Sequence, residues 1–274
     1  MAALLRTIGY QEATPDAVLG TLTAAGVDLL VDVRAVAASR RPGFSKRQLA
    51  AGAEAAGIGY LHLRGLGTPA EGRLAARKGR FGELRRIFGA HLETAGAQAE
   101  LVRLAATDQL TDLPNRRTLA ARLDTELALA AVRGTPLSVA LADIDHFKPI
   151  NDRYGHEVGD SVLRLVARTL RADSRATDVV GRWGGEEFML VLPATALVEA
   201  VGVLDRLRGR VREQTGASCR ESVTMSFGVY EASPGEGARD VIRRTDKALY
   251  AAKAGGRDSV RAWRAGLSHS ANAA

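Results

Sequence analysis

Apolar residues recur along the chain with two spacings, and the spacing changes from one segment to the next. Short apolar runs predict strands at Leu4–Ile8, Asp28–Arg34, Gly59–Leu63, Leu137–Ala142, Val179–Trp183, Glu186–Leu192, Val223–Tyr230 and Ser259–Trp263. Apolar residues at helical spacing predict helices at Pro15–Ala25, at Phe81–Ala106, after Pro114, from Asp160, at Leu197–Arg212 and at Asp240–Ala254. Strands and helices that alternate in this way are typical of an α/β or α+β protein.

The same pattern divides the chain into regions of unequal length. Residues 1–105 predict a small α/β domain, residues 106–265 predict a larger one, and residues 266–274 predict a disordered tail of small residues. Helical patterns lie on both sides of the boundary. Residues 105–112 are therefore predicted to form a helical hinge between the domains rather than a flexible tether.

Composition and charge narrow the class of protein. No apolar run approaches the length of a membrane span, no export signal precedes the first strand, and Cys219 is the only cysteine, so we expect a cytoplasmic protein. The net charge is +7 at pH 7, with most of the basic excess in residues 1–105. Aromatic residues do not interleave these basic residues as a stacking surface requires. We therefore expect neither a nucleic-acid partner nor a membrane partner.

Acidic residues follow two of the predicted strands. Asp143 ends one strand, and Glu186 and Glu187 follow the pair Gly184-Gly185. A glycine pair between apolar strands predicts a tight hairpin whose central residues have positive φ. If the two strands are neighbours, the carboxylates converge, and hard oxygen ligands of this kind select Mg²⁺ or Mn²⁺. Each of these pieces alone is more often an ordinary turn.

Five motifs share one order and spacing with a known family. They are Asp108–Arg117 (DQLTDLPNRR), Asp143–Lys148 (DIDHFK), Asn151–Asp160 (NDRYGHEVGD), Gly184–Phe188 (GGEEF) and Asp246–Lys253 (DKALYAAK). Over about residues 106–264 the chain resembles the GGDEF family of diguanylate cyclases. The resemblance implies a palm-like nucleotidyl-cyclase domain with a central, mostly antiparallel sheet flanked by helices, preceded here by the small α/β domain.

The resemblance also implies which residues hold the metal. Asp143 and Glu186 would be ligands through their side chains, and Ile144 through its carbonyl. Glu187 would be either a further ligand or the base near the attacking hydroxyl. The backbone of the glycine pair would let GTP lie close, since a Cβ there would obstruct the nucleotide.

Further roles implied by the resemblance concern the nucleotide. Asn151 and Asp160 would contact the guanine edge, where a carboxylate accepts from two donors that adenine lacks. The alternative for Asp160 is a helix N-cap, and both roles could coexist. Lys148, Lys253 and Arg257 would neutralise the phosphates.

The segment Arg175–Asp178 (RATD) precedes the glycine pair at the spacing of the family's RxxD inhibitory site. The resemblance implies that Arg175 and Asp178 bind cyclic di-GMP; the alternative is a surface ion pair. The sequence departs from the family at Asp258, where asparagine is common. That position is not among the implied ligands, so we expect activity to be retained.

The implied reaction joins two GTP molecules into cyclic di-GMP, with divalent metal as cofactor. Each active site binds one GTP and so supplies only half of the reactants. Two subunits must therefore face each other, and we expect a homodimer. The alternatives are a catalytically idle GGDEF module that serves as a cyclic di-GMP receptor or as an interaction scaffold. The intact motif Gly184–Phe188 argues against the receptor.

The first region resembles a second family, one known only as a domain of unknown function. The resemblance rests on Thr7–Tyr10 (TIGY), Val31–Arg34 (VDVR), Ser39–Ser45 (SRRPGFS), Tyr60–Leu63 (YLHL) and Leu66–Pro69 (LGTP). The family continues into a further strand and a Cys-His-Arg motif, which this chain lacks. An anion pocket formed by Asp32, Arg34, Arg40, Arg41 and His62 is one interpretation and a structural remnant is the other. We expect the domain to control input or dimerisation.

Overall fold

The structure is a computed structural model that describes Ile8 and residues 13–36, 41–218 and 222–264. Arg40, the tail 266–274 and all of the predicted first strand except Ile8 lie outside the described residues. The chain divides into two compact units, Met1–Ala105 and Ala106–Ala274. Within the described ranges, the helices are all too short or too polar to cross a membrane.

The first unit consists of helices and one small parallel sheet. Its elements are α1 (Pro15–Ala24), β1 (Leu29–Asp32), α2 (Lys46–Ala55), β2 (Gly59–His62), a 3₁₀ turn (Arg64–Leu66), α3 (Ala70–Arg77), α4 (Phe81–Leu92) and α5 (Ala95–Ala106). Strands β1 and β2 pair in parallel. The core between α1, α2 and the sheet consists of Val18, Leu19, Leu22, Phe44, Leu49, Ala53 and Ile58.

Two predictions for the first unit need correction. The segment Asp28–Arg34 was predicted as a buried strand, but β1 is shorter and only Asp32 is buried within it. Leu29 and Val31 remain exposed because, among the described residues, the elements of this unit cover only one face of the strand. A serine directly before a helical segment also predicts a side-chain N-cap at Ser45, but its hydroxyl donates to Gln48 instead of capping α2.

Residues 107–112, just after the boundary between the units, are not helical, contrary to prediction. Helix α5 ends at Ala106, and an isolated bridge between Thr107 and Pro114 closes a turn in place of the predicted hinge. Inside that turn, the Asp108 carboxylate accepts from the backbone N–H and the hydroxyl of Thr111. A side chain that satisfies the backbone locally competes with helix formation, which explains why the helical pattern stops here.

The second unit contains the larger sheet. Its elements are α6 (Arg116–Arg133), β3 (Leu137–Ile144), α7 (Phe147–Tyr154), α8 (His156–Ala172), β4 (Val179–Gly184), β5 (Glu187–Pro193), α9 (Leu197–Ser218), β6 (Met225–Glu231), α10 (Ala238–Ala254) and β7 (Val260–Ala262). The strand order is β4-β5-β3-β6-β7, antiparallel except for the parallel pair β6-β7. The predicted mostly antiparallel sheet flanked by helices is confirmed.

Strand β3 lies at the centre of this sheet and every one of its residues is buried. Helices α7, α8 and α9 contribute to the core on one face, and α6 and α10 contribute to the core on the other. Leu119 and Leu123, on the predicted stripe of α6, are fully buried in the second core. A strand covered on both faces reads as a continuous apolar run, which is the pattern of Leu137–Ala142.

Helix boundaries differ from the prediction where the chain turns. Asn115 caps α6 by accepting from the Thr118 N–H, and Gly134 ends that helix in the left-handed conformation, as expected. Helix α8, however, begins at His156 rather than at Asp160. Asp160 is therefore inside the helix, and its alternative interpretation as an N-cap is wrong.

Candidate functional site

The end of β3 meets the hairpin between β4 and β5. Asp143 lies opposite Glu187 in the antiparallel ladder, and the Ile144 N–H donates to the Glu186 carbonyl oxygen over 3.3 Å. The two strands that carry the acids are therefore neighbours, which is the condition on which the predicted convergence of the carboxylates depended. The ladder brings the acidic residues to one end of the sheet.

The hairpin that carries two of these acids is not built as predicted. Neither Gly184 nor Gly185 has a positive φ, and the ladder shifts by one residue between Arg182 and Gly184. This bulge lets the turn close without the left-handed conformations of the predicted tight hairpin. A Cβ on Gly184 would be in ordinary contact distance of the Glu187 carboxylate at 3.5 Å, and a Cβ on Gly185 would meet nothing within 4 Å. The fold of this unit therefore does not require glycine at either position.

Arg182 holds this hairpin in place, and the sequence analysis missed it. Its guanidinium donates to the Asp108 carboxylate over 3.0 Å and to the Gly185 carbonyl oxygen over 2.7 Å. Asp108 opens the first of the motifs and Gly185 lies in the fourth. Charged partners of a turn fix its geometry more firmly than neutral ones. The sequence did contain a signal for this contact, because Asp108 opens the first motif and yet no role was assigned to it.

Asp143 is the most buried acid of the cluster. Its side chain is 10% exposed, and the Lys253 ammonium lies 2.7 Å from its carboxylate. Burial raises the pKa of Asp143, the hydrogen bond and charge of Lys253 oppose that increase, and the negative charges of Glu186 and Glu187 add to it. Burial, more than the neighbouring charges, therefore sets the direction of this shift.

A cavity of about 150 Å³ opens beside these groups. It is lined by Asp143, Ile144, His146, Phe147, Lys148, Pro149, Glu186, Lys253 and Arg257. The structure therefore brings the predicted metal ligands and phosphate-binding residues to one pocket. Glu187, Gly184 and Gly185 border the same hairpin but do not line the cavity.

His146 in this pocket was not predicted. It immediately precedes α7 and has a φ of +56°, a left-handed conformation that is rare outside glycine. The turn places the first turn of α7 beside the cavity, where the positive end of a helix favours phosphate. Pro149 is the third residue of α7, and the first turn of a helix tolerates proline because its N–H has no helical partner.

The donor set fits a hard divalent cation. Carboxylates and a backbone carbonyl are the oxygen ligands that Mg²⁺ and Mn²⁺ prefer, and Asp143 and Glu186 both line the cavity. Within the described ranges, the acids and histidines do not form a preassembled group of three around one point. Lys253 is the cation that neutralises Asp143 in this structure.

Asn151 and Asp160 lie on α7 and α8 and do not line the cavity. The Asn151 side-chain oxygen is buried without a hydrogen-bond partner. A Cβ on Gly159 would lie only 1.8 Å from that oxygen, so glycine is needed for the close packing. Asp160 is about half exposed and its carboxylate lies 3.8 Å from the Arg164 guanidinium. The Asn151 oxygen is an acceptor left without its donor, which is unusual for a buried polar atom.

The segment Arg175–Asp178 forms a tight turn before β4. The Asp178 carboxylate accepts from the Arg175 backbone N–H over 2.8 Å, instead of pairing with the guanidinium. The alternative of a simple surface ion pair is therefore wrong. Arg175 is exposed, while the second carboxylate oxygen of Asp178 is buried and has no hydrogen-bond partner. Arg171 donates to the carbonyl oxygens of both residues and fixes the turn.

In the candidate anion pocket of the first unit, the described polar and charged side chains already bond to groups within that unit. The Asp32 carboxylate accepts from the Arg34 guanidinium over 2.6 Å and from the Tyr60 hydroxyl over 2.5 Å. Burial would raise the pKa of Asp32, but these hydrogen bonds lower it below its usual value. A His62 ring nitrogen bonds the Arg34 carbonyl oxygen, and Arg41 donates to a backbone carbonyl. This arrangement supports the structural remnant over the anion pocket.

Comparison with known families identifies both regions. The family described as "Diguanylate cyclase, GGDEF domain" matches residues 105–259, more than half of the chain. The chain belongs to the GGDEF family. "Domain of unknown function DUF488" matches residues 14–112. Both resemblances inferred from the motifs are thus confirmed.

Two curated proteins are similar to this chain over part of its length. The response regulator PleD of Caulobacter vibrioides is 45% identical over 163 residues, which cover 57% of this chain and 36% of PleD. The diguanylate cyclase DgcP of Pseudomonas aeruginosa is 41% identical over 182 residues, which cover 64% of this chain and 26% of DgcP. The match thus covers about a third or less of each relative.

Solved GGDEF structures share the fold. The GGDEF domain of DgcB from Caulobacter crescentus, in complex with c-di-GMP, is 37% identical with a TM-score of 0.56 and covers 59% of this chain and 97% of DgcB's domain. The active GGEEF domain of a diguanylate cyclase from Vibrio cholerae is 36% identical with a TM-score of 0.53 and covers 55% and 97% of the two chains. These likenesses support the palm-like fold of the second unit.

Proposed function

We propose that the second unit is a diguanylate cyclase domain that condenses two GTP molecules into cyclic di-GMP and releases two pyrophosphates. The observation that carries the proposal is the pairing of Asp143 with Glu187 beside a hairpin whose glycines the fold does not need. Glycine that is required neither by φ nor by packing is explained by a ligand that approaches the backbone closely. Membership of the GGDEF family supports GTP as that ligand.

Asp143, Glu186 and the Ile144 carbonyl would hold Mg²⁺ or Mn²⁺. The bound ion would neutralise triphosphate charge and polarise the phosphoryl oxygens. Lys253 already neutralises Asp143 at 2.7 Å and, with Lys148 and Arg257 in the same cavity, supplies positive charge for the phosphates. These cations stabilise the charge that develops on the departing pyrophosphate.

The guanine would contact Asn151 and Asp160. The unpartnered Asn151 oxygen is an acceptor, and the guanine edge offers an exocyclic amine and a ring N–H as donors. Asp160 pairs only weakly with Arg164 at 3.8 Å, so its carboxylate is free to accept from the base. Together they would select GTP over ATP, because adenine lacks this donor pair.

Two copies of the chain would complete the reaction. One copy orients the α-phosphate of its GTP, and the facing copy presents the 3′-hydroxyl that attacks this phosphorus. As the new P–O bond forms, the hydroxyl gives its proton to Glu187 or, if Glu187 is a further metal ligand, to solvent water. The bond between the α-phosphorus and the bridging oxygen breaks, and pyrophosphate leaves. A second attack in the opposite sense closes the ring. Because each site supplies one reactant, the rate depends on how the copies face each other.

Product would bind at Arg175 and Asp178 and inhibit the enzyme. The exposed Arg175 and the unpartnered oxygen of Asp178 offer a donor and an acceptor at one turn. Guanidinium groups bind phosphate and guanine edges with two parallel hydrogen bonds. Retention of both residues beside an intact Gly184–Phe188 motif favours feedback inhibition of an active cyclase.

The first unit would control pairing of the second. Its interior charged groups already bond to partners within the unit, which favours a structural role over a catalytic one.

The alternative functions for the whole chain are an idle cyclic di-GMP receptor and an interaction scaffold. Mass measurement by size-exclusion chromatography with light scattering, combined with GTP turnover, separates the three. A dimer that consumes GTP supports the cyclase; a dimer that binds product without turnover supports the receptor; a protein that does neither supports the scaffold.

A further inference from the structure

The turn after α10 has an unusual backbone. Gly256, Arg257 and Asp258 have φ values of +107°, +64° and +41° in succession. A left-handed conformation is unfavourable for a non-glycine residue, so Arg257 and Asp258 adopt it only because surrounding contacts impose it. Arg257 is the residue of this turn that lines the cavity.

Asp145 supplies one of these contacts. It is 3% exposed, and its carboxylate accepts from the Thr224 hydroxyl over 2.8 Å and the Ser226 hydroxyl over 2.7 Å. The same carboxylate accepts from the Asp258 backbone N–H over 3.0 Å. Asp145 follows the proposed metal ligand Asp143 by two residues, yet its oxygens are occupied by neutral donors. The two acids of the DID segment therefore have different tasks.

Asp258 supplies the second contact through its side chain. Its carboxylate lies 2.5 Å from Nη1 of Arg208 on α9 and 3.5 Å from the Arg212 guanidinium. The Arg208 guanidinium also donates to the Asp258 carbonyl oxygen over 3.2 Å. The side chains of Arg208 and Asp258 are 21% and 30% exposed, so solvent screens this pair less than it screens a surface pair. The family's common asparagine could not form this ion pair.

We infer that Asp145 and the Arg208–Asp258 pair are positioning groups that hold Arg257 toward the triphosphate. The inference rests on the proposed function, because it assigns the purpose of the strained turn to phosphate binding. Its consequence is that α9, which contributes no residue to the cavity lining, controls affinity for the phosphates. Asp258 acts through Arg257 and does not touch the substrate.

The test uses the full chain and 3′-deoxy-GTP, which keeps the triphosphate but lacks the attacking hydroxyl and therefore binds without reacting. Asp258→Ala and Arg208→Gln are each expected to weaken binding of this analogue in Mg²⁺ by about tenfold, the size of one lost charged hydrogen bond. Binding of guanosine, which has no phosphate, is expected to stay unchanged. Glu213→Gln is the matched control, because it removes the exposed Arg210–Glu213 ion pair from the same helix.

A double-mutant cycle separates positioning from a general structural role. In a chain that already carries Arg257→Ala, the added change Asp258→Ala is expected to cost no further affinity, since both act through one guanidinium. Additive losses, or a loss of guanosine binding equal to the loss of 3′-deoxy-GTP binding, would overturn the inference. Arg208→Gln leaves the turn sequence intact, so it decides the question if Asp258→Ala lowers thermal stability.

Failure of the inference is distinguishable from failure of the proposed function. If the unaltered protein binds 3′-deoxy-GTP and both variants match Glu213→Gln, the positioning role is wrong and the cyclase proposal stands. If the unaltered protein does not bind the analogue in Mg²⁺, both are wrong.

Discussion

The Lys253 ammonium lies 2.7 Å from the Asp143 carboxylate, so the last turn of α10 and the end of the central strand are joined by a charge pair at the pocket. The pair is asymmetric, because the Lys253 side chain is 33% exposed and that of Asp143 only 10%. The buried partner therefore bears most of the desolvation cost. A site that holds an acid under such conditions is suited to bind a further cation.

The first prediction concerns Asp143→Asn. The pKa of Asp143 is raised above the ordinary 3.8, so folding favours the protonated form of its carboxyl group. Its contribution to stability is therefore fully present below pH 3.8 and is lost as the pH rises through the raised pKa. At pH 7 the variant is expected to be more stable than the unaltered protein, by on the order of 1 kcal/mol, while GTP turnover is lost. Below about pH 4 the stability difference should disappear.

Thermal melts at both pH values, without added metal, measure this stability difference. The exposed Asp152→Asn is the control and should leave the melting temperature and turnover unchanged. A variant that is less stable at pH 7 would show that Asp143 stabilises the fold and is not held at a cost for function.

The second prediction concerns the hairpin glycines. Gly185→Ala is expected to leave the free energy of unfolding within about 0.5 kcal/mol, since the new Cβ meets nothing within 4 Å, but to lower GTP turnover at least about tenfold. Gly228→Ala is the opposite case, because its Cβ would lie 2.0 Å from the Leu249 backbone nitrogen. Chemical denaturation should show a large loss in the free energy of unfolding for Gly228→Ala but not for Gly185→Ala. Full activity in Gly185→Ala would remove the ligand-approach explanation.

Sequence patterns predicted the second unit well because its strands are buried on both faces or bounded by strong turn signals. Strand β3 extends only two residues beyond the predicted Leu137–Ala142. Its pairing with β5 places Asp143 opposite Glu187, as a shared metal site requires. The turn conformation at Gly184-Gly185 was wrong because a bulge closes the hairpin, and a bulge depends on pairing between strands, which local sequence does not encode.

Positions that depend on tertiary partners were not predictable in the same way. The predicted hinge failed because Asp108 bonds Thr111 locally and Arg182 across the unit, and only the first of these contacts is near in sequence. His146 lines the pocket because the backbone is left-handed at this residue, and its residue type does not predict that conformation. The role of Asp145 was not predicted, because its hydroxyl donors Thr224 and Ser226 follow 79 and 81 residues later.

The third prediction concerns base selection. The unaltered protein is expected to prefer GTP over ITP, which lacks the exocyclic amine, by roughly tenfold, because one acceptor would be left unpaired. Asp160→Asn should reduce this preference several-fold by replacing one carboxylate oxygen with a donor. Competition between GTP and ITP for turnover measures the effect. Arg164→Gln removes the present partner of Asp160 and should leave selectivity unchanged; if both variants behave alike, Asp160 does not contact the base.

The fourth prediction concerns feedback. Arg175→Ala is expected to raise the cyclic di-GMP concentration needed for half-inhibition by about tenfold or more, because a bidentate guanidinium contact is lost, while initial turnover stays the same. Initial rates of pyrophosphate release at increasing product concentrations provide the measurement. Arg168→Ala, an exposed arginine on α8, is the control. Equal inhibition of Arg175→Ala and the control would remove the RxxD assignment.

The most direct test of the central claim is to identify the product that the purified full chain makes from GTP and Mg²⁺. Liquid chromatography with mass spectrometry is expected to show cyclic di-GMP with two pyrophosphates for each molecule formed, and no product from Glu186→Gln under the same conditions. GTP that remains intact, even when a fused dimerising segment forces the chain into pairs, would contradict the account.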